Sequence, residues 1–109
     1  MLKKHQRIPR KKFDEIFKKG KSITNQFSHV KFIKSHQKSF SVVVPRRIVA
    51  TAVQRAKIRR RLYSFLHTAQ QHVPPMQFII IVTKDFVKQP PASQKEILSQ
   101  LLSVAAKRL

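Results

Sequence analysis

Five of the seven residues from Arg55 to Arg61 are basic, in the run Arg-Ala-Lys-Ile-Arg-Arg-Arg, and Arg46 and Arg47 stand just before them across a short apolar bridge. A guanidinium is a planar fork of donors that meets a phosphate through two parallel hydrogen bonds, and an ammonium meets it as a point charge. Several such groups fixed on one helix form a lattice of cations suited to a repeating phosphate backbone. A solvated surface helix normally balances its bases with acids three or four residues away, because like charges there repel. No acid occurs between Glu15 and Asp85, so that plainer account does not fit this stretch. Arg46, Arg47, Arg55, Lys57, Arg59, Arg60 and Arg61 are therefore candidate phosphate ligands.

A second set lies near the N-terminus, where Phe13 and Phe17 are four residues apart beside Arg10, Lys11 and Lys12. A pair of phenylalanines at this spacing is most often core. The functional alternative is that a ring lines a groove and stacks on single-stranded bases, a contact that tolerates any base. Arg10, Lys12, Phe13 and Phe17 are carried forward on that basis.

Other chemistries find little support. There are no cysteines, so disulfides and thiolate metal sites are excluded. His67 and His72 are five apart, not the four of a helical metal pair, and the five histidines form no ligand set. With one glycine, no phosphate-cradling glycine loop exists, and no nucleophile–base constellation is seen. The adjacent acids Asp14 and Glu15 are explained by the positive end of a helix. The chain carries no candidate catalytic residue and no candidate metal ligand.

The elements that must hold these groups are legible from periodicity. A chain of 109 residues suits one domain with a single core. With 24 Lys and Arg against 4 Asp and Glu, its formal charge of +20 disfavours compaction unless a polyanion relieves it. Residues 1–7 read as a mobile basic arm. Ile8-Pro9 leads into a helix with Phe13, Ile16 and Phe17 on one face, acids early, lysines late and Gly20 placed as its stop. Residues 21–25 are β-prone. Gln26–Lys34 and Phe40–Val44 alternate and are expected to pair as a hairpin across the polar turn 35–38, with Pro45 ending the second strand.

Thr51-Ala-Val-Gln54 has capping-box spacing, so the basic helix is expected from near Ala52 to about Gln71. Around it, Ile58, Leu62, Phe65, Leu66 and Ala69 share an apolar arc, Lys57, Arg60 and Ser64 oppose it, and Arg59 and Arg61 flank it. Arg55 points along the apolar direction but lies early enough in the helix to leave the core. Pro74-Pro75 ends the helix, and Met76–Val82 reads as a fully buried central strand. After a connection over residues 84–91, a second capping box, Ser93-Gln-Lys-Glu96, opens a last helix with Ile97, Leu98, Leu101, Leu102 and Ala105 inward. The expected fold is α+β, a single nucleic-acid-binding domain of order α-β-β-β-α-β-α with helices on one central sheet. The strands before and after the basic helix are expected to be parallel neighbours, a crossover that is right-handed in nearly all proteins.

The run from Arg55 to Leu62, entered from a strand ending Val44-Pro45-Arg46-Arg47, resembles the signature of the bacterial ribonuclease P protein component, which centres on Arg-Asn-Arg-Ile-Lys-Arg. The resemblance extends to the pattern of Ile8, Phe13, Phe17 and Gly20 and to Val73-Pro74-Pro75-Met76-Gln77-Phe78-Ile79-Ile80-Ile81. Ala56 stands in place of the signature's asparagine and Lys57 in place of its second arginine, so one directional hydrogen-bonding group and one bidentate fork are absent. The resemblance implies a cytoplasmic, RNA-binding subunit of a ribonucleoprotein endonuclease, a hydrolase that removes the 5′ leader from precursor tRNA. Catalysis and most Mg²⁺ binding would belong to the RNA. It implies as partners the catalytic RNA and precursor tRNA, with no membrane and no protein partner required. It assigns Arg46, Arg47, Arg55, Lys57, Arg59, Arg60 and Arg61 to the catalytic RNA. Arg10, Lys12, Phe13 and Phe17 would serve the leader, in a cleft between the first helix and the sheet. It also implies a left-handed crossover.

Other readings stay open at this level. A basic ribosomal protein would share the charge and would co-purify with ribosomal RNA. A helix-turn-helix DNA binder would need a short helix and turn before Arg55. A cationic membrane-surface helix fits poorly with flanking β segments that imply a folded core; no apolar run is long enough to span a bilayer, and the N-terminus does not resemble a signal peptide.

Overall fold

Met76–Val82 (β4) decides the architecture. Its Met76, Phe78, Ile79, Ile80 and Val82 are almost wholly buried, which requires cover on both faces and a partner on both edges. The computed structural model describes Ile8 and residues 12–109 of the chain. The basic arm expected over residues 1–7, Pro9 as helix opener and the candidate Arg10 lie outside the described residues.

The other elements are Phe13–Lys19 (α1), Lys21–Thr24 (β1), Ser28–Lys34 (β2), Ser39–Val43 (β3), Ala52–Ala69 (α2), Lys84–Lys88 (α3) and Pro91–Arg108 (α4). A single 3₁₀ turn, Gln70–His72, finishes α2 before the Pro-Pro break. One sheet of order β1-β2-β4-β3 forms, with β1 and β4 antiparallel to β2 and β3 parallel to β4. The fold is α+β in the expected order, and the strands flanking the basic helix are parallel neighbours. The expected β2–β3 hairpin does not form. β4 inserts between them, in registers Phe32↔Phe78 and Phe40↔Phe78. A hairpin would have left the almost wholly apolar β4 on a sheet edge, where one row of its backbone groups has no partner.

The two sheet faces carry separate cores. Val30, Phe32, Phe40, Val42, Phe78 and Ile80 pack under α2 and α4, and Phe40 meets Phe78 edge to face at 6.2 Å. On the other face Ile79 packs with Ile8 and Ile16, flanked by Phe13, Phe17, Ile33, Val43 and Ile81, beneath α1. Three local expectations are corrected. Residues 84–88 are a helical turn rather than loop, because the Thr83 side chain caps Phe86 N–H. α4 opens at Pro91, two residues before the Ser93 capping box, since a proline in the first turn has no N–H to leave unpaired. Gly20 does follow α1, but with φ −76° and ψ 157° it is extended, not left-handed. A Cβ there would overlap Ile16 O and sit 2.9 Å from Phe32 O, so its role is to let α1 meet the sheet.

Candidate nucleic-acid interface

The basic helix begins where the sequence places it. Thr51 Oγ1 accepts from Gln54 N–H at 3.4 Å. Ile58, Leu62 and Leu66 are buried, with Phe65 and Ala69 half-buried beside them. Burial of that arc fixes the rotation of α2 and sends Lys57, Arg60 and Arg61 to the surface, while Arg55 and Arg59 are half-buried at its edge. Cations at a helix N-terminus oppose its dipole, so this placement works against local stability. Arg46 and Arg47 are exposed in the turn after β3, which Ile48 and Val49 N–H close onto Pro45 O at 3.1 and 3.2 Å.

Arg55 does leave the core as expected. Its Nη1 donates to Val49 O at 2.9 Å and Ala50 O at 2.7 Å, which ties the first turns of α2 to the loop that carries Arg46 and Arg47. The remaining guanidinium donors stay available for an anion.

A groove of about 920 Å³ runs along β3 between α1 and α2. Phe13 stands on one wall, Arg55, Arg59 and Tyr63 on the other, and Arg46 at the end, over a floor from Ser41 to Pro45. Sequence reasoning missed Tyr63. Its hydroxyl accepts from Val42 N–H at 3.1 Å, which satisfies an edge group of β3 and holds the phenol at the groove wall. Its signal was present: Arg55, Arg59 and Tyr63 recur every fourth residue and so share one helix face.

The expected site residues thus divide. Phe13, Arg46, Arg55 and Arg59 meet in the groove. Phe17 does not line it; its ring meets Phe13 edge to face at 6.3 Å and packs over Ile79's cluster. Lys12 is exposed at the start of α1, lining a separate hollow with Glu15, Lys34 and His36. Arg47, Lys57, Arg60 and Arg61 face outward, beyond the groove.

Arg61 has a further tie. Its Nη1 donates to Gln94 Oε1 at 3.3 Å, and buried Gln94 donates through Nε2 to Phe86 O and Gln89 O at 3.2 and 3.0 Å. One carboxamide joins α2, the end of α3 and α4. Gln94→Met keeps the volume but strands those carbonyls, and is expected to destabilise by about 2 kcal/mol. A urea midpoint lowered at unchanged m-value would record it.

Among the described residues no group of three or more His, Asp or Glu is placed to hold a metal ion. No helix of the described chain is long and apolar enough to cross a membrane. The basic helix follows a strand and loop, not the helix and turn that a helix-turn-helix reading requires.

Comparison with known proteins narrows the partner. No curated protein sequence matches the chain. Among solved structures, the RNase P protein of Thermotoga maritima superposes with a TM-score of 0.78 at 27% identity, over 88% of this chain and 94% of that one. A Staphylococcus aureus RNase P protein mutant with defective mRNA degradation activity superposes with a TM-score of 0.84 at 23% identity, over 94% of this chain and 89% of the other. Superposition this extensive distinguishes a topology from its mirror image, so the β3–α2–β4 crossover has the same hand as in those structures. The family model for ribonuclease P matches residues 1–106, which takes in the groove, the cationic helix and all four strands, and the chain belongs to that family as a protein subunit of the tRNA-processing enzyme.

Proposed function

We propose that this subunit grips two RNAs at once: the catalytic RNA through the cations of α2 and its approach loop, and the single-stranded 5′ leader of precursor tRNA through the groove. The observation that carries this reading is the meeting of Phe13 with Arg46, Arg55 and Arg59 along β3. An aromatic ring opposite three guanidinium groups suits an unpaired strand, with bases stacking on the ring and phosphates on the forks. Arg47, Lys57, Arg60 and Arg61 face away from the groove and serve the catalytic RNA alone. Arg46, Arg55 and Arg59 stand where leader and catalytic RNA meet. Arg10 and Lys12, close to Phe13 in sequence, would add positive charge for the leader.

Cleavage itself is assigned to the RNA. Mg²⁺ would be held mainly by the RNA, where the chemistry it would supply is water activation and neutralisation of phosphate charge. The described residues present no donor cluster for it. The protein's part is to hold the leader in line and to offset repulsion between closely packed phosphates. Both would work in the cytoplasm, with no membrane and no protein partner required.

The test is reconstitution with a cognate catalytic RNA at low Mg²⁺, following release of the 5′ leader. Cleavage no faster than with RNA alone would sink the proposal. Within it, Phe13→Ala is expected to weaken leader-bearing precursor by about 1–3 kcal/mol, the worth of one stacked base, and to leave affinity for mature tRNA and catalytic RNA unchanged. Equal losses for precursor and mature tRNA would refute the stacking role.

A further inference from the structure

A second concavity, of about 500 Å³, separates the C-terminal half of α2 from α4. Phe65 and Tyr63 lie about 160° apart around α2, so this trench and the groove occupy opposite flanks of the helix. Phe65, Ala69, Leu102 and Ala106 form an apolar floor. Along the α4 rim, Lys95, Ser99, Ser103 and Lys107 follow one another every fourth residue, a row about 18 Å long at 1.5 Å per residue. All four are exposed, and among the described residues their side chains have no hydrogen-bond or charge partner. No carboxylate lines the trench.

We propose that this trench is a second RNA site, which takes an unpaired base of a single-stranded segment against Phe65 while Lys95 and Lys107 meet phosphates on either side. The proposal rests on the reading of the chain as an RNA-binding subunit and extends it to a surface outside the signature helix. Apolar floor and polar rim match the two chemistries of an unpaired nucleotide: a π-face that stacks, and base edges, 2′-hydroxyl and phosphate that pair with hydroxyl and ammonium groups. A second copy of the chain would bring +20 against +20. A protein helix laid in the trench would cover the two serines, each of which would then need a new partner. RNA supplies such partners along its whole length.

The chain contains no tryptophan, so Phe65→Trp provides a single reporter at the floor. Titrating this full-length variant with a short mixed-sequence oligoribonucleotide should quench its emission, and a duplex of equal length should not. In the parent chain, the exposed pair Lys95→Gln/Lys107→Gln should lower the slope of log affinity against log salt by about 1.4, two single-strand phosphate contacts. That measurement stands even if the indole of the reporter variant disturbs packing. An unchanged slope, absent quenching, or quenching by an acidic amphipathic peptide but not by RNA each overturns the proposal. A labelled strand that still binds Phe65→Trp by anisotropy, without quenching, would overturn the trench alone and leave the ribonuclease P reading standing.

Discussion

Changing Arg46, Arg55 and Arg59 together to alanine is expected to lower affinity for both the catalytic RNA and leader-bearing precursor tRNA by roughly two to three orders of magnitude. A charge-assisted hydrogen bond contributes about 1.5–3 kcal/mol, and three neighbouring contacts add less than their sum because the remaining cations rearrange. The slope of log affinity against log salt should fall by about 2–3, one counterion-release term for each phosphate left uncovered. Arg55→Lys separates the two things Arg55 does. Charge and salt slope should persist, but an ammonium has a single nitrogen, and one that reaches a phosphate leaves the two hydrogen bonds that Nη1 gives Val49 O and Ala50 O poorly aligned, whereas the guanidinium keeps Nε and Nη2 for the phosphate. Affinity should then drop without a change in slope, because the loop carrying Arg46 and Arg47 is no longer anchored. The control is the outward set Arg47, Lys57, Arg60 and Arg61, whose loss should weaken catalytic RNA and spare the leader contribution. A triple variant that binds both RNAs within threefold of the parent would refute the shared groove.

The prediction leans on features that the sequence carries to different degrees. The α2 arc was legible because a helix's rotation is set by its own apolar period: Ile58, Leu62 and Leu66 must turn inward, and everything said of Lys57 and Arg60 follows. The exit of Arg55 from the core was legible for the same reason, though not the carbonyls it reaches, which belong to a loop without periodicity. β2 and β3 show the limit more clearly. Each alternates correctly, with Phe40, Val42 and Val44 on the face opposite Ser41 and Val43, but alternation fixes which face is buried and says nothing about which strand is adjacent. The apolar run of β4 carried the missing constraint, since a strand buried on both faces needs neighbours on both edges. Weighing that demand against the short turn 35–38 would have set β4 between the two strands.

The groove was half legible. Charge and aromatic spacing marked Phe13, Arg46, Arg55 and Arg59, but their convergence depends on α1 lying across the second face of the sheet, a tertiary placement to which no local pattern points. Tyr63 was passed over because it lies beyond the charged run and resembles ordinary helix surface. Gln94 was hidden for a related reason. A buried carboxamide is identified by the carbonyls around it, and the short α3 that supplies them has too few residues to show a helical period. Family resemblance gave the partner, an identity that charge alone leaves among all polyanions.

Gly20→Ala is expected to destabilise the fold by about 2 kcal/mol and to abolish discrimination between leader-bearing and mature tRNA. Backbone preference argues the opposite sign: at φ −76° and ψ 157° alanine is unstrained, and such a change ordinarily stabilises by about 0.4–1 kcal/mol through the unfolded chain. Close approach decides the matter. The new Cβ would meet Ile16 O of α1 and Phe32 O of β2, both backbone atoms held in place, and neither can rotate aside as a side chain would. The bond from Gly20 N–H to Ile16 O, 2.7 Å long, draws the chain into that contact. Relief requires α1 to lift from the sheet, which loosens Ile16 over Ile79 and carries Phe13 away from the groove wall opposite Tyr63. For a domain near this size the thermal midpoint should drop by roughly 10 °C. Measured well below that midpoint, the folded variant should keep its affinity for the catalytic RNA, because α2 and its loop rest on the other face of the sheet. A variant as stable as the parent, with leader preference intact, would show that α1 can shift without cost and that its seat on Gly20 does not position the groove.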